Sequence, residues 1–135
     1  MTDTLFLIAS GLNAVASLCH LWVIYGGANE YRRFGAGEDM ARMAEEGRLY
    51  PHILTFGIAS ALALFSYLCL SQAGLVPVPP FAPEILWMLT VVYLLRGIVP
   101  LVSFPWVSMF NTRFFVVSSA IVTAMGLVHL AALVL

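Results

Sequence analysis

The chain contains no lysine, only two cysteines and few charges of either sign: 6 basic residues and 7 acidic ones, together 10% of 135 residues. A soluble domain of this length carries about a quarter charged residues, so a water-exposed globular surface does not fit. A net charge of -1 argues against nucleic acid as a partner, because that needs a clustered basic surface. Without lysine, Gly35-Ala-Gly37 is not a phosphate-binding loop and reads as turn glycines. The chain also has no glycine-flanked nucleophilic serine elbow, no HExxH and no pair of aspartates in its apolar segments. Most of the common catalytic constellations are therefore missing.

What is present is apolar: 61% of the residues are hydrophobic. Four runs, Leu5–Tyr25, Ile53–Leu70, Ile85 to about Ser103 and Phe114–Leu135, each approach the ~20 residues that a bilayer-spanning helix needs. Little chain remains for a soluble catalytic domain. The expected fold class is all-α: an integral membrane four-helix up-and-down bundle forming one transmembrane domain over residues 1–135. Its spans fall at about 5–25, 51–71, 84–103 and 114–135. The first span is expected to be retained, since "MTDT" lacks the positive start of a signal peptide and the apolar run is long for one. In "ASLC", Leu18 stands where a lipoprotein cleavage site needs a small residue.

Arginine placement gives an orientation. Arg32, Arg33, Arg42 and Arg48 lie in loop one, Arg113 precedes the fourth span, and loop two, "SQAGLVPVPPFAPE", has no basic residue. Because lysine and arginine rather than net charge decide threading, loops one and three are expected in the cytoplasm and both termini in the periplasm of a bacterial inner membrane.

Loop one also carries local structure. Glu38 and Asp39 favour the positive end of a helix dipole, Gly47 supplies a left-handed stop, and Glu38 with Arg42 has i,i+4 spacing. The expectation is a short amphipathic helix near 38–46, with Met40, Met43 and Ala44 forming an apolar stripe toward the membrane interface.

The most unusual residue is Arg96, in "YLLRGIVP". Prolines in "PVPPFAP" delay the third helix to about Pro83. Counting from Glu84 puts Arg96 about 18 Å into a hydrocarbon core roughly 30 Å thick. Such a placement costs about 2.5–3.5 kcal/mol on insertion scales. Pro100 leaves the Arg96 carbonyl without its ladder donor. Two readings stay open: the side chain snorkels to the headgroups, or it belongs to a polar site.

The same counting places His20 about 22 Å from the outer edge, and Thr55, Ser118 and Ser119 about 6 Å or slightly more inside the inner one. The candidate ligand-binding set is therefore Arg96, His20, Thr55, Ser118 and Ser119, with Glu38 as a loop-one carboxylate able to neutralise the arginine. Serine and threonine in membrane helices also commonly bond backbone carbonyls, which is the plainer reading of each. Small residues at helical spacing, including Gly57/Ala61 and Ser119/Thr123, favour close helix contacts. His129 lies in the outer half, apart in depth from His20 and His52, so no metal, haem or other cofactor is expected. Cys19 and Cys69 read as small packing residues.

"YRRFGAGED", "YPHILTFGIA", "SQAG" and "YLLRG" together resemble a family of small four-span inner-membrane proteins of proteobacteria. Gln72 stands where that pattern carries glycine. The resemblance covers most of the chain and implies topology, with no activity attached.

Three function classes follow. The first is a non-enzymatic binding module holding a lipid headgroup or a small amphipathic molecule, with anionic lipid as the natural ligand of Arg96. The second is a homo-oligomeric pore or transporter, or an accessory subunit of a membrane complex. The third is a small intramembrane enzyme using His20 as a base. The lipid bilayer is the partner common to all three.

Overall fold

The computed structural model describes residues 1–108 and 112–135, and the chain is all-α across them. Its six helices run α1 (Thr2–Gly26), α2 (Ala28–Arg33), α3 (Glu38–Glu45), α4 (Tyr50–Gln72), α5 (Ala82–Ser103) and α6 (Arg113–Val134). Helices α1, α4, α5 and α6 are long and apolar enough to cross a membrane. The chain is a multi-pass membrane protein of the expected all-α, four-helix class. Each long helix begins one to three residues before its hydropathy does. The reason is that polar residues such as Asp3 and Glu84 occupy first turns, where exposed N–H groups and the dipole favour them.

The most apolar window of each spanning helix is only 28%, 33%, 33% and 22% buried in chain order. In water such surface would drive aggregation; in a bilayer it faces acyl chains at no cost. The helix stops are local. At Gly47 and Gly74, φ is +74 and +75, and the amides of Gly47 and Arg48 bond the carbonyls of Ala44 and Met43 at 3.1 and 2.9 Å. This glycine-dependent closure satisfies carbonyls that a helix end leaves open. A side chain at either position would be strained.

The chain divides into two compact units. One comprises residues 13–65: the later part of α1, then α2, α3 and the first two-thirds of α4. Within it Ser17 donates to the Ala59 carbonyl at 2.7 Å, joining α1 to α4. A small apolar cluster of Val23, Tyr31 and Ala41, flanked by Ala28, Met40 and Ala44, packs α3 and α2 onto the end of α1. Part of the stripe expected to face lipid is thus occupied by protein: Met40 and Ala44 cover Tyr31. The physical reason is α2, which gives the stripe an apolar surface of its own chain to bury against.

The other unit comprises residues 1–12 and 66–135. Here the Ser66 hydroxyl donates to the Ser10 carbonyl at 3.0 Å, and the two hydroxyls lie 2.8 Å apart. Helices α5 and α6 form a hairpin whose backbones meet closely at two glycines, Gly97 facing Ser119 and Thr123, and Gly126 facing Leu94.

Candidate functional site

The α5–α6 seam determines what surrounds Arg96. A Cβ built at Gly97 would lie 2.7 Å from the Thr123 amide nitrogen and 2.9 Å from the Ser119 carbonyl oxygen. Only glycine permits that approach. The neighbouring residue, Arg96, is thereby set against the first two turns of α6. Its Nη1 donates to Ser119 Oγ at 3.1 Å, and its Nη2 lies 3.5 Å from Ser118 Oγ, at the outer limit of a hydrogen bond. The guanidinium carbon sits 5.6 Å from the centroid of the Phe115 ring, within range of a cation–π contact.

The hydroxyls are themselves oriented. Ser118 donates to the Phe115 carbonyl at 3.3 Å, and Thr123 donates to the Ser119 carbonyl at 2.8 Å. Ser118 therefore uses its proton on the backbone and turns a lone pair to the arginine. Ser119 is fully buried, while Arg96 lies on an exposed face. The structure brings together three of the candidate residues, Arg96, Ser118 and Ser119. It adds Phe115, Gly97 and Thr123, which lie outside the candidate set. "YLLRG" and the Ser119/Thr123 pair are visible in the sequence; their meeting depends on helix rotation, which is not.

A guanidinium has five N–H donors. Two meet serine oxygens and none meets a carboxylate: every ion pair among the described residues falls between Glu30 and Arg48. Within the unit that holds Arg96 the side-chain carboxylates are Asp3 and Glu84. Glu84 lies twelve residues earlier on the same helix, about 18 Å along its axis. Arg96 itself is seven residues from Ser103, the end of α5, about 10 Å by helical rise. Its bond to Ser119, six residues into α6, holds the guanidinium about 9 Å inside that helix. The side chain is not stretched to the helix ends, as plain snorkelling would require.

The other candidate residues lie in the unit of residues 13–65, where each has a local partner. His20 Nδ1–H donates to the Ala16 carbonyl one turn back at 2.7 Å. Thr55 Oγ1 accepts from the Tyr31 hydroxyl at 3.1 Å, and the Tyr31 oxygen lies 3.3 Å from His52 Nδ1. Glu38 receives Arg32: Nε–Oε2 is 2.9 Å and Nη2–Oε1 2.7 Å, while Arg32 Nη1 reaches Glu45 at 2.6 Å. The expected Glu38–Arg42 pair is replaced by this clamp, and Arg42 bonds Asp39 at 2.8 Å. The Arg32 hydrogen bonds hold the Glu38 and Glu45 carboxyls below the usual glutamate range and raise the guanidinium.

A third polar group is buried near the other end of α6. His129 Nδ1–H donates to the Met125 carbonyl at 2.8 Å, which leaves Nε2 as the acceptor in the neutral ring. Cys69 Sγ lies 3.6 Å from that nitrogen, and the Tyr93 ring meets the imidazole edge-on at 5.4 Å. Cys69 therefore packs, as expected, and also supplies a weak S–H donor that joins α4 to α6. Among the described residues no three histidine, cysteine or acidic side chains converge as metal ligands.

Comparison with protein families, with curated proteins and with solved structures finds no match to the chain. Function therefore rests on the residues themselves.

Proposed function

We propose that the protein is a non-enzymatic binding module of the bacterial inner membrane, holding the anionic head of a lipid or small amphipathic molecule at Arg96, with Ser118, Ser119 and Phe115 positioning the guanidinium. The observation that carries this reading is a cation inside a membrane helix, exposed on the protein surface and partnered by neutral hydroxyls and a ring. Ionised groups at that depth are costly unless paired, and the planar fork of arginine matches phosphate or carboxylate in two-point contact. An anion arriving from the membrane supplies the missing charge.

Orientation supports the same reading. With loops one and three in the cytoplasm and both termini periplasmic, as the arginine distribution favours, Arg96 lies in the cytoplasmic half of the bilayer. That leaflet carries the anionic lipids. His20, Glu38 and Thr55 are left out of this proposal, because each has a local partner in the other unit.

The test is thermal melting of the full chain in neutral detergent with and without anionic lipid. Wild type gains lipid-dependent stability and Arg96→Leu does not, while the two melt alike without lipid. A mutant that gains as much as wild type overturns the proposal.

A further inference from the structure

We infer that Cys69 and His129 are the two ligands of a copper(I) site, separate from Arg96 and independent of what binds there. Cys69 Sγ on α4 stands 3.6 Å from His129 Nε2 on α6. The other ring nitrogen is fixed by its bond to the Met125 carbonyl at 2.8 Å, the kind of outer contact that orients metal-binding histidines. Tyr93 of α5 meets the imidazole edge-on at 5.4 Å, and both ligand side chains are buried, at 0% and 1% exposure. Metal bonds of about 2.3 Å to sulfur and about 2.0 Å to nitrogen bridge the present gap when they meet at about 115°, and become collinear once the two atoms part by about 0.7 Å. Elsewhere in this unit, hydroxyls make the contacts between helices: Ser66 to Ser10 and Ser119 to Arg96. A thiol is a weaker donor than a hydroxyl, so hydrogen bonding alone would be better served by serine opposite the imidazole. Sulfur is instead the better ligand for a soft ion.

Charge selects the ion. Copper(I) takes the place of the thiol proton: the S–H bond breaks, an S–Cu and a Cu–N bond form, one proton leaves to water and no electron moves. Thiolate and Cu⁺ cancel, so the loaded pair is as neutral as the empty one and adds no net charge to the membrane interior, where charge is costly. Zinc would leave one positive charge there and wants four ligands, whereas among the described residues no third histidine, cysteine or acidic side chain joins the pair. The pair also lies close to the helix ends. Cys69 is three residues from Gln72, the end of α4, and His129 is five from Val134, the end of α6, about 5 and 8 Å by helical rise. An entering ion therefore crosses only one to two turns. Ser119 and His129 are ten residues apart on α6, about 15 Å, which keeps the pair clear of the Arg96 contacts.

The experiment is an anaerobic titration of the full chain in non-ionic detergent with copper(I) held by the competing chelator bicinchoninate, repeated with silver(I) as a redox-inert probe. The expected result is one ion retained per chain and one proton released as it binds, with a copper X-ray absorption spectrum showing one sulfur and one nitrogen neighbour. Zinc(II) should not be retained. Cys69→Ala and His129→Leu should each lose the ion, whereas Cys19→Ser and Arg96→Leu should keep it. Proton release separates the thiol from the chain's 6 methionines, whose thioethers bind copper(I) without giving up a proton. Proton release and the absorption spectrum are read on the unmutated chain, so a variant that fails to fold leaves the test standing. Copper(I) left entirely with the chelator, retention without proton release, loss in Cys19→Ser, or retention unchanged in Cys69→Ala would each overturn the inference.

Discussion

Two arginines of this chain meet opposite surroundings. Arg32, in the region between α1 and α4, is clamped by two glutamates at 2.7 and 2.6 Å. Arg96, inside a membrane helix, has two serines and a phenylalanine ring. Water screens Arg32, so its pairs contribute little energy and serve chiefly to hold α2 against α3. Around Arg96 the dielectric is low and a carboxylate partner would be worth far more, yet its own unit offers none within reach. The charge that closes locally in one region is left open in the other. An open charge at a point where openness is expensive is what a binding site needs.

The comparison breaks most severely at Gly97. Gly97→Val should push α5 off α6, because the added atoms meet the Thr123 amide and the Ser119 carbonyl rather than a flexible side chain. Overpacking of this kind costs about 1–3 kcal/mol. Both melting temperature and lipid retention should fall, whereas Gly57→Val, at a glycine with open space around it, should leave both unchanged. A loss at both glycines would show that the seam has no special role.

Next in size is the lipid-dependent term. At anionic lipid a hundredfold above its dissociation constant, linkage predicts about 2.7 kcal/mol of stabilisation, absent in Arg96→Leu. Arg32→Leu should lose none of it, and that contrast sharpens the distinction between the two arginines. Calorimetric or fluorescence melting across a lipid titration measures both.

Smaller still is Tyr31→Phe. The hydroxyl donates to Thr55 at 3.1 Å from a side chain that is 1% exposed, so its loss leaves a buried acceptor and should cost about 1 kcal/mol. The effect should appear as faster hydrogen exchange in α2 and α3, with lipid retention at Arg96 unchanged. A change in retention would show that the Tyr31 and Arg96 regions are coupled rather than independent.

The smallest effect is that of pH on the Arg32 clamp. Glu38 and Glu45 have lowered folded-state values, so their contribution is fully present above the ordinary glutamate pKa and is lost as pH falls through the folded values. Exchange protection of α3 should therefore be flat near neutrality and decline only in acid. Glu38→Gln should show the acid behaviour at neutral pH. Protection that declines instead as pH rises would contradict the clamp.

The four spans and α3 are legible in the sequence because hydropathy, dipole-favoured acids and the Gly47 stop are local signals. Helix α2 is not: Ala28–Arg33 is six residues long, too short to show a period. Charge pairing escapes for a related reason. Spacing on one helix points Glu38 to Arg42, but the turn through Gly35 and Gly37 brings Arg32 back to it. At the candidate site, Arg96, Ser118 and Ser119 share a depth by counting. Phe115 and the Gly97 contact do not emerge that way, since they depend on which faces of α5 and α6 meet. That rotation is fixed by packing across the seam, which counting along one helix does not contain.

The most direct test of an open charge at Arg96 is a nitrogen–phosphorus distance measurement by solid-state NMR on arginine-labelled protein in bilayers containing phosphatidylglycerol. An open charge predicts a guanidinium-to-phosphate dipolar contact that disappears in Arg96→Leu and persists in Arg32→Leu. A spectrum in which Arg96→Leu removes no such contact would contradict it.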